Sequence, residues 1–128
     1  MQRRTYLKTM LAGAAMRAPL AAAGKPILLH VDLSVDPARE AEMLDNYHKI
    51  FKPAASKQPG FLDLKMLKLR TALQGGAPEG VNYRFALAFE SEELRQKWVA
   101  SAIHQKVWPT IENTLKHKNY RVLLFDVE

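Results

Sequence analysis

Four polar residues in two stretches of alternating polar and apolar residues could together carry acid–base chemistry. His30 and Asp32 are two positions apart in the first stretch, and Asn82 and Arg84 are two positions apart in the second. Side chains two positions apart on a strand point to the same face of a sheet. If the two strands are neighbours and their apolar faces pack on helices, all four side chains converge on the opposite face.

These residue types suit the removal of a proton from a phenol-like substrate. An imidazole titrates near neutral pH and can accept the proton, while a carboxylate orients the ring. An arginine or asparagine can stabilise the negative charge that develops on the substrate or on a peroxide. The sequence therefore predicts His30, Asp32, Asn82 and Arg84 as catalytic residues. The alternative is a buried structural ion pair between Asp32 and Arg84, with His30 hydrogen-bonded beside it.

A pocket beside these residues is the second prediction. Small side chains leave space on a sheet face, and a concave apolar space with a few polar groups is the usual form of a small-molecule site. The predicted pocket residues are Met66, Ala86, Trp98, His104 and Trp108. The tryptophans and the methionine could instead be ordinary core residues, and His104 could be a solvated residue. No histidine pair has the spacing of a metal site, and none is predicted.

The elements that must position these residues follow from hydrophobic periodicity. Alternation predicts strands over residues 26–34, 61–71, 81–89 and 120–127, with a slip in the second near Met66 and Leu67. Asp36 caps a helix that Pro53 should kink or end. Ser91 caps a second helical region, which Pro109 divides into two helices. Residues 74–80 form a loop.

This order, β-α-β-β-α-β, predicts an α+β, ferredoxin-like sandwich in which the first and third strands are neighbours. Two helical layers cover only one face of such a sheet. The other face still carries apolar residues, namely Leu28, one side of the strand from Phe61 to Leu69 and one side of Leu123-Leu124-Phe125. A homodimer that buries this face, a dimeric α/β barrel, is therefore predicted. A solvated sheet face is the alternative.

Composition excludes several classes of protein. With 128 residues the chain has room for one domain, and with no cysteine it has no disulfide framework, thiolate metal site or cysteine nucleophile. The net charge of +6 comes largely from four basic residues before Gly24; from there on, 15 basic and 13 acidic residues nearly balance. No dense basic stripe remains, so no nucleic-acid partner is expected.

Residues 1–23 have the pattern of a twin-arginine signal peptide, which leaves a domain of residues 24–128. Arg3 and Arg4 precede Tyr-Leu-Lys, a short apolar stretch follows, and Ala21-Ala22-Ala23 forms a cleavage site. We expect export to the periplasm or beyond, with the twin-arginine machinery as a partner. The apolar stretch is far shorter than the ~20 residues of a bilayer span, so no permanent membrane anchor is expected. An N-terminal helix that stays on the protein is the alternative.

The chain resembles the antibiotic biosynthesis monooxygenase-like family of dimeric α+β barrels. The resemblance is carried by residues 29–34, by Pro59-Gly60-Phe61 before the second strand, and by the acid-rich start of the second helix with Trp98 one turn on. The family includes cofactor-free oxygenases of aromatic substrates and heme-degrading enzymes. The resemblance implies a cofactor-independent monooxygenase acting on a small aromatic or quinol-like molecule in a dimer-barrel pocket. The alternative is a non-catalytic dimeric barrel that binds a small hydrophobic ligand, or that serves as a stress-related or partner-binding module.

Heme is the third alternative that the resemblance raises. Heme-degrading members pair a strand-one Asn and a helix-two Trp with an axial His ten residues after that Trp. Trp98 matches the Trp, but position 108 is also a Trp and residues 27–34 contain no Asn. No cofactor is therefore expected, and an atypical heme site would need His104 as a displaced ligand.

Overall fold

The computed structural model describes residues 24–128, and the predicted signal peptide at residues 1–23 lies outside them. The four strands are β1 (Ile27–Leu33), β2 (Phe61–Lys68), β3 (Tyr83–Phe89) and β4 (Arg121–Asp126). The first helical region has a 3₁₀ turn (Pro37–Arg39), α1 (Glu40–Asn46), a π turn (Tyr47–Phe51) and α2 (Lys52–Ser56). The second has α3 (Glu92–Ala100), α4 (Ala102–Val107) and α5 (Pro109–Glu112). No helix within residues 24–128 is long and apolar enough to cross a bilayer.

The strands form one antiparallel sheet in the order β2-β3-β1-β4, which confirms the predicted ferredoxin-like α+β fold. The first and third strands are neighbours at the centre, and Asp32 lies directly opposite Arg84. The sheet has two different faces. The helices cover the face that carries Phe85, whereas the other face, called here the open face, carries His30 and Ala86.

Alternation along β3 produces this two-faced sheet. Tyr83, Phe85, Leu87 and Phe89 are buried, and the residues between them are only partly covered. Phe51 and Trp98 from the helices pack on this apolar row, with ring centroids 5.9 Å apart for Phe51 and Phe85. Removing so much aromatic surface from water is the main force that holds the helices on the sheet.

Of the two outcomes predicted for Pro53, a kink or an end, the helical region does not end there but becomes irregular just before it. Proline lacks the N–H of a helical hydrogen bond, and its ring clashes with the carbonyl one turn back. The π turn before α2 widens the helix there: the Lys52 N–H donates to the carbonyl of Tyr47, five residues back. The wider turn removes the clash, so Pro53 occupies the first turn of α2 and the helix continues to Ser56.

The irregularity in β2 lies nearer its start than predicted. Phe61 pairs with Phe89 and Asp63 with Ala88, so Leu62 is an extra residue in a bulge. From Asp63 to Lys68 the pairing is continuous, which puts Met66 on the helix-covered face and Leu67 on the open face. The strand ends at Lys68 rather than at residue 71.

The second helical region contains one more break than predicted. Ser101 is extended, with ψ 153°, and ends α3; its hydroxyl then accepts a hydrogen bond from the His104 N–H at 3.2 Å and so caps α4. α5 begins at Pro109, where a proline is expected to interrupt the hydrogen-bond ladder. The Ser101 break places His104 in the first turn of α4.

Candidate functional site

A cavity of about 190 Å³ lies between the helix-covered face of the sheet and the second helical region. We call it the sheet–helix cavity. Its apolar wall is formed by Leu29, Val31, Phe85, Val99 and Val122. Its aromatic and charged residues are Arg95, His104, Trp108 and Tyr120. Sites for drug-sized ligands usually measure ~300–1,000 Å³, so this cavity suits a smaller molecule.

His104 is packed among aromatic rings at the wall of this cavity. Its ring meets Trp98 edge-on with centroids 4.9 Å apart, and it stacks on Trp108 at 6.3 Å with an angle of 17° between the planes. Its Nδ1 is buried and has no hydrogen-bond partner among residues 24–128. A buried polar atom without a partner is uncommon because it costs about 1–3 kcal/mol, and such atoms often mark functional positions.

The surroundings of His104 keep its imidazole neutral. Burial lowers the pKa of His104 below the usual value of 6.5, and the positive charge of Arg95 lowers it further. A histidine with a lowered pKa is deprotonated at neutral pH. His104 can therefore accept a proton there, provided that a substrate reaches a ring nitrogen.

Arg95 supplies the positive charge of the cavity. Its guanidinium forms a two-point hydrogen bond with the Glu92 carboxylate, with both N–O distances 2.6 Å. The Arg95 side chain is largely buried, and this pairing within α3 fixes its orientation. A cation held in a mostly apolar cavity favours a nearby negative charge more strongly than it would in water.

Two walls of the cavity are held by a chain of hydrogen bonds. The Trp108 Nε1–H donates to the Tyr120 hydroxyl at 3.2 Å, and that hydroxyl donates to the Glu112 carboxylate at 2.6 Å. Burial, and then the hydrogen bond to Glu112, raise the pKa of Tyr120. The hydroxyl therefore stays protonated, and both rings are held against the cavity.

On the open face, Asp32 and Arg84 form the closest pairing of the four predicted catalytic residues. Arg84 Nε donates to Oδ1 of Asp32 at 2.6 Å, and Nη2 donates to Oδ2 at 3.1 Å. Only 2% of Asp32 is exposed. The hydrogen bonds from Arg84 hold the pKa of Asp32 below its usual value, against the opposing effect of burial.

The other two residues of this set are engaged elsewhere. The Asn82 side-chain amide accepts from the Val35 N–H and donates to the Val35 carbonyl, both at 2.8 Å, so it holds the chain just after β1. His30 packs edge-on against Phe125 with centroids 5.1 Å apart. No hydrogen bond joins His30 to Asp32 in the part of the chain described. This geometry favours the structural ion-pair interpretation of Asp32 and Arg84.

The five predicted pocket residues do not line one cavity. Trp98, His104 and Trp108 come together, the first packing behind His104 in the core. Met66 lies opposite Phe85 and packs on the core, and Ala86 is on the open face. Ala86 and Trp98 are separated by the thickness of the sheet, because successive strand residues point to opposite faces.

Arg95 and Tyr120 are cavity residues that the sequence analysis missed. Arg95 and Val99 are four positions apart and therefore share one face of α3, which is a signal that the sequence contained. Tyr120 carries no comparable signal, since it precedes an edge strand whose pairing places it beside Trp108.

The residues at the sheet–helix cavity do not fit a heme. An axial ligand must bring a large flat macrocycle up to its imidazole, whereas the His104 ring is already flanked by Trp98 at 4.9 Å and by Trp108 at 6.3 Å. The cavity is also smaller than typical sites of ligands that are themselves smaller than heme. Among residues 24–128, no group of three or more His, Asp or Glu side chains is arranged to hold a metal ion.

Several solved structures share the fold of this protein, although its sequence has no close match. No family model matches the sequence, and no curated protein matches it. A proposed antibiotic biosynthesis monooxygenase from Caulobacter crescentus has a similar structure, with a TM-score of 0.66 and 17% identity over 81% of this chain and 91% of that one. A mutant of SnoaB, a cofactor-independent oxygenase from Streptomyces nogalater, gives 0.64 and 13% over 82% and 95%.

A dimeric ferredoxin-like protein of unknown function from Jannaschia is also similar, with a TM-score of 0.61 and 17% identity over 80% of this chain and 98% of that one. At these identities the likeness is one of fold. The predicted resemblance to antibiotic biosynthesis monooxygenase-like proteins is thus confirmed at the level of the fold.

Proposed function

We propose that this protein is a cofactor-independent monooxygenase that oxidises a small aromatic or quinol-like molecule in the sheet–helix cavity. The observation that carries the proposal is a neutral histidine, His104, with a buried unpaired nitrogen, at the wall of an aromatic cavity beside a fixed arginine. The fold shared with the SnoaB oxygenase adds support by analogy.

The chemistry needs a base and a stabilising charge. His104 accepts the proton of a phenolic hydroxyl, and the guanidinium of Arg95 stabilises the resulting oxyanion. The electron-rich ring carbon, which carries a hydrogen, then bonds to dioxygen, and the peroxide takes back the proton from His104. Loss of water from the resulting hydroperoxide leaves a carbonyl. One oxygen atom enters the product and the other leaves as water, so the substrate loses two hydrogens and gains one oxygen.

Within this proposal the open face has a different task, which is to pack on a second copy of the chain. On β4, Leu123 and Phe125 belong to this face and are 36% and 44% exposed. Apolar surface of this kind usually marks an interface. The dimeric Jannaschia protein of the same fold is consistent with a homodimer. Sedimentation velocity should show a dimer that Phe125→Glu converts to monomer; a wild-type monomer at all concentrations would contradict this part.

The test of activity uses naphthohydroquinone and dioxygen labelled with oxygen-18. Monooxygenation gives hydroxynaphthoquinone with one labelled oxygen, whereas simple autoxidation gives unlabelled naphthoquinone, and mass spectrometry separates the two. We expect His104→Gln to reduce labelled product on the order of 10²–10⁴-fold, the usual contribution of a general base. His30→Gln is the matched control, since it changes the other half-buried histidine.

The outcomes separate the candidate sites and functions. Loss of labelled product in His30→Gln but not in His104→Gln would move the chemistry to the open face. Saturable substrate binding without labelled product would favour the alternative of a non-catalytic barrel that binds a small ligand. We also propose that residues 1–23 direct export through the twin-arginine machinery; a protein that stays in the cytoplasm of its native host would contradict this.

A further inference from the structure

A second cavity, of about 310 Å³, lies on the opposite side of the sheet from the first. It is at the end of the open face where the loop between β2 and β3 crosses, and we call it the loop-end cavity. Its apolar wall consists of Leu67, Leu69, Pro78 and Val81. Its volume falls within the usual range for a small-molecule site, ~300–1,000 Å³.

Arg84 is held in a fixed orientation at the wall of this cavity. Two of its nitrogens, Nε and Nη2, are bound by the buried carboxylate of Asp32, which lies on the neighbouring strand. Its remaining nitrogen, Nη1, has no acceptor within residues 24–128, and 39% of the side chain is exposed. A guanidinium fixed in this way can donate to an anion without losing further side-chain freedom.

The charges around the cavity favour an anion. The carboxylate of Asp32 is neutralised by Arg84, and that of Glu40 already receives the Tyr83 hydroxyl at 2.6 Å and the Lys68 Nζ at 2.7 Å. Arg70 also lines the cavity and forms no ion pair with any residue in the described range. Two arginines therefore have donors to spare, while the nearby carboxylates are satisfied.

The apolar part of the cavity favours a ligand with a hydrocarbon portion. Leu67 lies opposite Arg84 in the strand pairing, and in the single chain Leu67 and Leu69 are 43% and 41% exposed. Arg84 pairs near the end of β1, whereas Phe125, at the expected contact with a second copy, pairs near its beginning. Exposed leucines beside a fixed arginine form a surface with one charged end and one apolar end. We propose that the loop-end cavity binds a small amphipathic monoanion, with its carboxylate on Arg84 and Arg70 and its hydrocarbon chain on Leu67 and Leu69.

Octanoate and octanol are the probes that test this proposal, because they share a chain and differ in charge. Titration of uniformly labelled full-length protein, followed by amide chemical shifts, gives both the affinity and the location. We expect saturable shifts at Leu67, Leu69 and Val81 with octanoate, and about tenfold weaker binding of octanol, since a hydrogen bond to a charged group is lost.

Two variants assign the effect to the arginines. Arg84→Lys keeps the positive charge but loses the forked guanidinium, which can hold Asp32 and still present a free donor. Arg70→Gln changes an exposed side chain that the fold does not need. Each should weaken octanoate binding about five- to tenfold and leave octanol unchanged. If Arg84→Lys does not fold, Arg70→Gln alone still tests the proposal.

Three results would overturn the proposed monoanion site: equal affinities for octanoate and octanol, no saturable binding of octanoate, or amide shifts that cluster at Trp108 and Tyr120 instead. His104→Phe is the control for the other cavity and should leave octanoate binding unchanged. Sedimentation velocity on the same samples ensures that the wild type and the variants are compared in the same state of association, because Arg84 belongs to the face on which a second copy is expected to pack.

Discussion

The lowered pKa of His104 makes a prediction about stability that can be worked out from the structure. Folding leaves this imidazole buried beside Arg95, so its pKa in the folded state is below the 6.5 of a solvated histidine. Above pH ~7 the ring is neutral in both states and the proton makes no difference. As the pH falls through 6.5 the unfolded chain binds the proton first, and the folded protein loses stability until its own pKa is reached.

The magnitude follows from this linkage. One histidine changes the free energy of unfolding by at most about 1.4 kcal/mol per pH unit. Between pH 7.0 and 5.5 the loss is therefore at most about 1.2 kcal/mol, a limit set by protonation of the histidine in the unfolded chain alone. His104→Phe removes this contribution, so its free energy of unfolding should rise relative to that of the wild type by up to this amount as the pH falls. His30 has a lowered pKa of the same sign and is present in both proteins.

Urea denaturation at four pH values between 5.5 and 7.0, followed by circular dichroism at one protein concentration, measures the difference. Comparing slopes removes the constant effect of repacking a phenylalanine against Trp98 and Trp108. Ile103→Val changes a residue of the same helix that does not titrate, and its curve should run parallel to that of the wild type. A His104→Phe curve parallel to the wild type within about 0.3 kcal/mol would refute the argument that burial keeps His104 neutral.

Three further predictions concern packing and polar contacts. Gly60→Ala should destabilise the fold by about 1–3 kcal/mol, because Gly60 has φ +85° and an added Cβ would clash with the Leu94 side chain of α3. Gly75→Ala, at φ +73° in open space, should cost less, and equal losses in denaturation would contradict the contact argument. Asn82→Ala should cost about 1–3 kcal/mol and speed amide exchange just after β1; unchanged exchange would show that its two hydrogen bonds are unimportant. Arg84→Met should lower the free energy of unfolding by roughly 2–4 kcal/mol in thermal or chemical denaturation, less than for a fully buried pair because the arginine is partly exposed. Adding Asp32→Asn should recover most of this loss. An Arg84→Met protein as stable as the wild type would refute a stabilising ion pair.

Much of the fold could be predicted because local patterns and global structure agree. Alternation along residues 81–89 predicts β3 and its buried face, and Asp36 and Ser91 cap helical regions where the sequence places them. The neighbouring position of the first and third strands follows from the order of elements, and with it the pairing of Asp32 and Arg84. The Pro53 and Leu62 positions were less predictable, since a π turn and a bulge depend on how the chain packs rather than on the residue types alone.

The candidate site was only partly predictable. Trp98, His104 and Trp108 were among the predicted pocket residues, and the fold brings these three together. The prediction that Ala86 lines the same pocket was wrong, because Ala86 lies on the opposite face of the sheet. The position of Arg95 at the cavity was missed.

The sequence by itself determined the order of strands and helices, the two-faced sheet and the polar character of the row around Asp32, because these follow from periodicities of two and 3.6 residues along the chain. Only the tertiary structure decided which polar side chains are satisfied. The Asn82 amide is hydrogen-bonded to Val35, and Arg84 is bound to Asp32 but keeps one free donor. The Nδ1 of His104 has no partner within the described residues. Hydrogen bonding of a side chain depends on atoms that are distant in sequence, so no local pattern can reveal which groups remain available for a ligand.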